Sequence, residues 1–256
     1  MILCSPTPNS IIKASLLAQI YYDLPCLKGE EESLGLFLYT NQLDADKISL
    51  KLALSYFQEF SNRSADWILE PPGQEIAGLI ISNLRYNSPD KAAVVFAAIE
   101  EALHHGYSYC LCGASKLSKL FLKRAKFVSH EIHRMMGFIR FYPAPDNTLV
   151  AQPRLYHHTA DIILKKFVSR YPKKRLVFIV GKQALILENN HFIHSPAKYY
   201  DVFLKNDRFE ETWETYYQSQ YIAARKNLKL AQRCIPKKYW DWLQEGKFLT
   251  MESQNS

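Results

Sequence analysis

Between Ser115 and Met136 the residues Leu117, Phe121, Val128, Ile132 and Met135 recur at helical spacing, and Lys119, Lys123, Lys126, His130 and Arg134 fill the gaps. At about 100° per residue the two sets project from different sides of one helix. One side therefore demands an apolar cover and the other demands water or a counter-charge. No other stretch restricts the possible folds so tightly.

The charge of the whole chain is less informative than its distribution. Residues 1–112 carry 7 Lys/Arg against 13 Asp/Glu, whereas residues 113–175 carry 14 against 3, and the net charge of the 256 residues is +7. A basic segment of this density fits a polyphosphate partner, because clustered Lys/Arg release counterions on binding. It also fits a solvated face, or a seam between acidic and basic parts of the chain. The five cysteines, Cys4, Cys26, Cys110, Cys112 and Cys234, have no disulfide-framework spacing and suit a reducing compartment. Residues 1–8 lack the basic-then-apolar order of a secretion signal, and no apolar run reaches the roughly 18 residues of a membrane span. The expected location is the bacterial cytoplasm, with no membrane partner.

Length permits one large domain or two small ones. Helices are expected over Ser10–Tyr22, over Asp44–Phe60 with Asp44 as cap and an Ile48, Leu52, Tyr56 stripe, over Glu75–Tyr86 after a break at Pro71, Pro72 and Gly73, and over Asp90–His105. Tyr107–Leu111 reads as a brief extended piece. After the Ser115–Met136 helix, Gly137 is expected to end it, with strands at Phe138–Tyr142 and Thr148–Gln152 around a turn. A helix over Thr159–Arg170 follows, with Thr159 as its cap. Leu176–Val180 and Gln183–Leu187 around Gly181-Lys182 then read as a hairpin. An aromatic helical stripe through Phe209, Trp213, Tyr216, Tyr217, Ala224 and Leu228 precedes a stop at Pro236. The fold class is α+β, predominantly helical, with a small antiparallel sheet of two hairpins around residues 138–187. The expected organisation is an acidic helical region 1–112, a basic α+β region 113–245 and a disordered tail 246–256.

The run from His130 through Glu131, His133, Arg134, Gly137, Phe138 and Arg140 to Phe141 resembles the signature of a bacterial family labelled "probable DNA metabolism protein". The later residues Trp213, Tyr216, Arg225, Asn227 and Ile235-Pro236-Lys237-Lys238-Tyr239-Trp240 are similar to that family's carboxy-terminal pattern. The family's Tyr-Asp-Gly opening is replaced here by Tyr22-Asp23-Leu24. The resemblance implies a setting in DNA repair or modification. It also implies a radical-SAM partner protein, and fusions of the same domain to uracil-DNA-glycosylase-like domains. It implies no catalytic residue.

Within the motif, Glu131 and His133 stand about 200° apart around a helix, too far to act as an acid/base pair. Glu131 is placed to pair with Arg134 three residues on. His133 faces the cationic side, for phosphate binding or as an acid. Arg140, alternating with Phe138 and Tyr142, reads either as part of a stacking platform for bases or as a paired residue between buried rings. The candidate nucleic-acid contacts are Lys119, Lys123, Lys126, His130, Arg134, Arg140, Lys173, Lys174 and Arg175, with Arg225 and Asn227 second. Cys110 with Cys112, His104 with His105, His157 with His158, and His191 with His194 lack the spacing of a zinc site. No metal or cofactor is expected. There is no radical-SAM cysteine triplet and no phosphate-binding glycine loop. Three functions follow: a DNA-binding accessory protein serving a partner enzyme, an enzyme on damaged DNA or nucleotides using His133 or Glu131, and a protein-interaction module.

Overall fold

The computed structural model describes residues 1–30, 42–205, 228–243, 246 and 250. The chain divides into two compact units, Met1–Glu131 and Ile132–Ser256. It is an α+β protein. Of the expected tail 246–256, only Gly246 and Thr250 are described, and the aromatic stripe between Phe209 and Ala224 lies outside the described residues.

The first unit opens with a strand, β1 (Ile2–Cys4), and a helix, α1 (Pro8–Tyr21), followed by β2 (Pro25–Leu27) and later β3 (Leu43–Asp44). The three strands form a parallel sheet in the order β2-β1-β3. The first half is mainly helical, as expected, but these strands were not read from sequence: they are too short to show periodicity, and α1 is the crossover that the parallel β1–β2 pairing requires. Helix α1 is buried nearly all round, including Lys13, whose ammonium donates to the Ile48 carbonyl at 2.9 Å. The Asp46 carboxylate gathers the sheet end, accepting from the Lys28 ammonium at 2.7 Å, from the Ser10 and Ser5 hydroxyls and from the Ser5 N–H. Those contacts, that of Lys28 foremost, hold its carboxyl far below the usual range.

Asp44 does not begin a long helix. It is extended against β1 and caps only the 3-10 turn Ala45–Lys47, while Ser49 caps α2 (Leu50–Ser61) by accepting from the Leu52 N–H at 3.2 Å. The buried side of α2 is Ala53, Leu54 and Phe57, so Leu52 and Tyr56 of the expected stripe are exposed. Pro71 and Pro72 start α3 (Pro71–Arg85) rather than break the chain, since proline is well suited to the first helical turn. Gly73 is required there by contact, because a Cβ would fall 2.1 Å from the Ile68 carbonyl oxygen. Helix α4 (Lys91–His105) ends at Gly106, φ +87°, and Tyr107–Leu111 is a short helix, α5, not an extended piece.

Helix α6 (Lys116–Phe138) supplies side chains to both units. Phe121 and Val128 are buried in the first, at about 2 kcal/mol each. Met135 belongs to the core of the second. Gly137 does not stop the helix; the Ile139 N–H closes onto the Met135 carbonyl at 3.0 Å, so the last turn needs no left-handed residue.

In the second unit β4 (Tyr142–Ala144), β5 (Thr148–Ala151), β6 (Arg175–Val180), β7 (Gln183–Glu188) and β8 (His191–Pro196) form one five-stranded sheet in sequence order. The sheet is larger than two hairpins and mixed, because α7 (Ala160–Val168) carries the chain from β5 to a parallel β6. Thr159 stands before α7 but makes no side-chain capping bond. The β6–β7 hairpin turns on Gly181, φ +61°, as its sequence predicts. Asn189 and Asn190, both with positive φ, make the further turn into β8. Period-two alternation splits β6 between two cores. Leu176 and Phe178 join Ile163, Leu164 and Phe167 of α7, while Val177 and Ile179 pack with Ile186 and Ala197. A short helix, α8 (Leu228–Cys234), then leads to a turn whose Tyr239, Trp240 and Leu243 are buried.

One polar contact fixes α6 in the first unit. The guanidinium of Arg124, only 7% exposed, donates twice to Asp90 at 2.8 and 2.9 Å and lies over the Tyr86 ring. Asp90→Ala leaves that cation buried and unpaired. Because Asp90 is itself half exposed, urea titration should show a loss of about 1.5–2 kcal/mol. The Arg124 guanidinium, then the Ser88 hydroxyl, hold the Asp90 carboxyl below its ordinary 3.8. The stabilisation is therefore present above 3.8 and lost as pH falls through the folded-state value, and the Asp90→Ala penalty should vanish in strong acid. A penalty that persists there would place its origin outside the ion pair.

Candidate nucleic-acid interface

The exposed side of α6 is prepared from its first turn. Gly113, φ +67°, turns the chain out of α5, and Ser115 then caps α6, its hydroxyl accepting from the Ser118 N–H at 2.9 Å while the Ser118 hydroxyl accepts from the Ser115 N–H at 2.9 Å. This reciprocal arrangement satisfies two donors at the helix start. The Ser115 hydroxyl also donates to Glu101 at 2.7 Å. Further along, the Asn83 amide of α3 donates to the Leu79 carbonyl at 2.9 Å and across to the Phe121 carbonyl of α6 at 3.0 Å. The two helices are thus clamped with the apolar side of α6 inward.

Lys119, Lys123, Lys126 and His130 are exposed on the first unit. Among the described residues, none of the three lysines has an ion-pair partner, and Lys123 lies over the Phe127 ring at 5.7 Å. No acidic residue occurs between Glu101 and Glu131. The lysines therefore sit at i,i+4 and i,i+3 from one another, and the first lies near the positive end of the helix dipole. Both placements cost stability.

Between α3 and α6 runs an open groove of about 360 Å³. Helix α3 contributes Glu75, Gly78, Leu79 and Ser82, and α6 contributes Leu122, Ala125, Lys126, Ser129 and His130. Lys126 and His130 were expected from sequence. The α3 residues were not, although Glu75, Gly78, Leu79 and Ser82 have the spacing of one helix face.

In the second unit Arg134 and Arg140 are half-buried and His133 is exposed. Glu131, at 2% exposure, is buried away from the lysine side, which sets it apart from His133 on the same helix. Arg140 is not on a strand. Phe138 ends α6 and packs edge-on to Tyr239 at 5.8 Å, and Phe141 sits among Phe167, Tyr171 and Phe178 at 5.0–5.7 Å. The alternating Phe138-Arg140-Tyr142 face is therefore replaced by core rings. Lys173 and Lys174 are exposed, whereas Arg175 is 3.6 Å from Glu188 and donates to the Tyr200 hydroxyl. Arg225 and Asn227 lie outside the described residues.

The two runs that carry the family resemblance meet here. Besides Phe138, Tyr239 contacts Tyr156 at 5.3 Å, and the Lys238 ammonium stands 3.9 Å over the Tyr156 ring. Cys110 is buried, its thiol pushed up to about 11 chiefly by burial, while Cys112 is exposed. Among the described residues no three His, Cys, Asp or Glu side chains gather as metal ligands, and no helix is long and apolar enough to cross a membrane.

An α+β protein with a lysine-lined helix and an adjoining groove is the class these observations define. Residues 89–245, more than half of the chain, match the family model of a domain of unknown function, DUF4130, and the chain belongs to that family. No curated protein matches the chain.

If the α6 lysines are held against the helix's own energetics, Lys119→Glu should stabilise the fold by about 0.3–0.5 kcal/mol. Thermal unfolding at low salt reads this directly. A destabilised variant would show that Lys119 serves packing.

Proposed function

We propose that this protein binds DNA, holding a strand or a lesion-bearing duplex for a partner enzyme in repair or modification. The observation that carries this reading is the row Lys119, Lys123, Lys126 and His130. It is exposed, its lysines are without ion-pair partners among the described residues, and it occupies positions that lower the stability of its own helix. Cations so placed gain most from an external polyanion, because binding relieves their mutual repulsion and releases counterions. The exposed Lys173 and Lys174 on the second unit add further positive surface. Phosphate contacts of this kind give affinity with weak sequence preference. The resemblance noted in the sequence suggests a radical-SAM protein or a uracil-DNA-glycosylase-like domain as the enzyme served.

The test is the salt dependence of binding to a fluorescent oligonucleotide. The double variant Lys123→Glu, Lys126→Glu should bind at least tenfold more weakly at low salt and lower the slope of log affinity against log salt by about two. Binding that ignores salt, or a slope unchanged in the double variant, would exclude the ridge as the DNA site.

A further inference from the structure

The α3/α6 groove is built differently from a phosphate ridge. A phosphate calls for donors and positive charge, which Lys126 and His130 supply at its α6 wall. Leu79, Leu122 and Ala125 offer a phosphate nothing, and the Glu75 carboxylate repels it. The same set suits a flat, apolar-faced group that carries donors and acceptors on its edge. Leu79, Leu122 and Ala125 can cover one face, while Ser129 and Glu75 can meet its edge and Ser82, whose hydroxyl donates to the Gly78 carbonyl at 2.9 Å, can accept there. At about 360 Å³ the space is within the range of small-ligand sites.

A second observation comes from Gly78. It lies within α3, where glycine is a much poorer helix former than alanine. Packing does not require it: a Cβ built there would meet no atom within 4 Å, in contrast to Gly73. What glycine does at position 78 is leave the groove wall bare, so helix stability is given up where the groove gains room.

We propose that this groove receives one unpaired nucleobase of a DNA strand, with the adjoining phosphates on Lys126, His130 and the lysines before them. This rests on the DNA-binding reading and adds to it a slot that recognises a base out of its stack. Apolar cover of this kind accepts any base, while hydrogen bonds at the edge favour bases whose donors and acceptors match Ser129 and Glu75.

The experiment compares a fluorescent oligothymidylate with an abasic oligonucleotide of the same length by anisotropy. The unmodified protein should prefer the base-bearing strand by about tenfold. Gly78→Leu, which fills the groove from a position with open space, should remove that preference and leave the affinity for the abasic strand within about twofold. Its unfolding midpoint should not fall, since leucine is the better helix former. Ser129→Trp, from the α6 wall, should act likewise and covers the case in which Gly78→Leu does not fold. Equal affinity for the two strands, or a preference that survives both fillings, overturns the slot while DNA binding stands. Failure to bind either strand overturns the DNA reading and the slot together.

Discussion

What α6 shows to solvent is determined by what it is obliged to bury. Its inner side carries Phe121 and Val128, but also the guanidinium of Arg124 and, through the Asn83 amide, a mid-helix carbonyl. Buried polar groups are costly without partners, so their positions allow few rotations of the helix about its axis. Asp90 takes both bonds of Arg124 Nη2 and the Asn83 amide N–H reaches the Phe121 carbonyl in one orientation, while Arg124 Nη1 and Asn83 Oδ1 stay without hydrogen-bond partners among the described residues. Turning α6 by one residue, about 100°, would bring a lysine inward and take Arg124 away from Asp90. The exposed row is the necessary other side of that arrangement.

The sequence was most legible where one element could be decided by its own pattern. The helix through Lys116–Phe138 and the β6–β7 hairpin were readable because amphipathic spacing and a glycine turn act locally. The parallel sheet of β1, β2 and β3 was not, since strands of two or three residues have no period to detect and are held by partners as far as 41 residues away, as with Ile2 and Leu43. Strand β8 had a signal that could have been used, the Asn189-Asn190 pair. The misreading at Gly137 has a simple cause. Glycine permits a left-handed stop without imposing one, and here the following apolar residues gain more by staying helical long enough to place Phe138 against Tyr239.

The candidate site divides along the same line. Lysines at helical spacing can be found from composition and periodicity, and Lys119, Lys123 and Lys126 are exposed as that spacing requires. Arg140 illustrates the opposite case. Its expected role depended on neighbouring rings being free for stacking, and rings are also the most effective core fillers available to a small sheet. Phe138 and Phe141 went to the core, together with Tyr239 and Tyr156 of the later segments. Among the recognisable residues, the rings Phe138, Phe141 and Tyr239 are thus packing residues of the second unit, and their recognisability says little about chemistry.

The groove draws on other residues. The family match begins at residue 89, beside the Asp90 that holds Arg124, and so includes α4, α5 and α6 but not α3. One wall of the groove, with Lys126 and His130, lies inside the matched segment; the other, with Glu75, Gly78, Leu79 and Ser82, lies outside it. A site assembled in this way need not be shared by every protein that contains the matched segment. The lysine row can be a property of the segment, since it needs only α6 and its buried contacts. The proposed slot requires a particular α3 clamped by Asn83 and opened by a glycine. The two proposals are therefore physically separable, strand binding depending on charge on one helix and base recognition on the space between two.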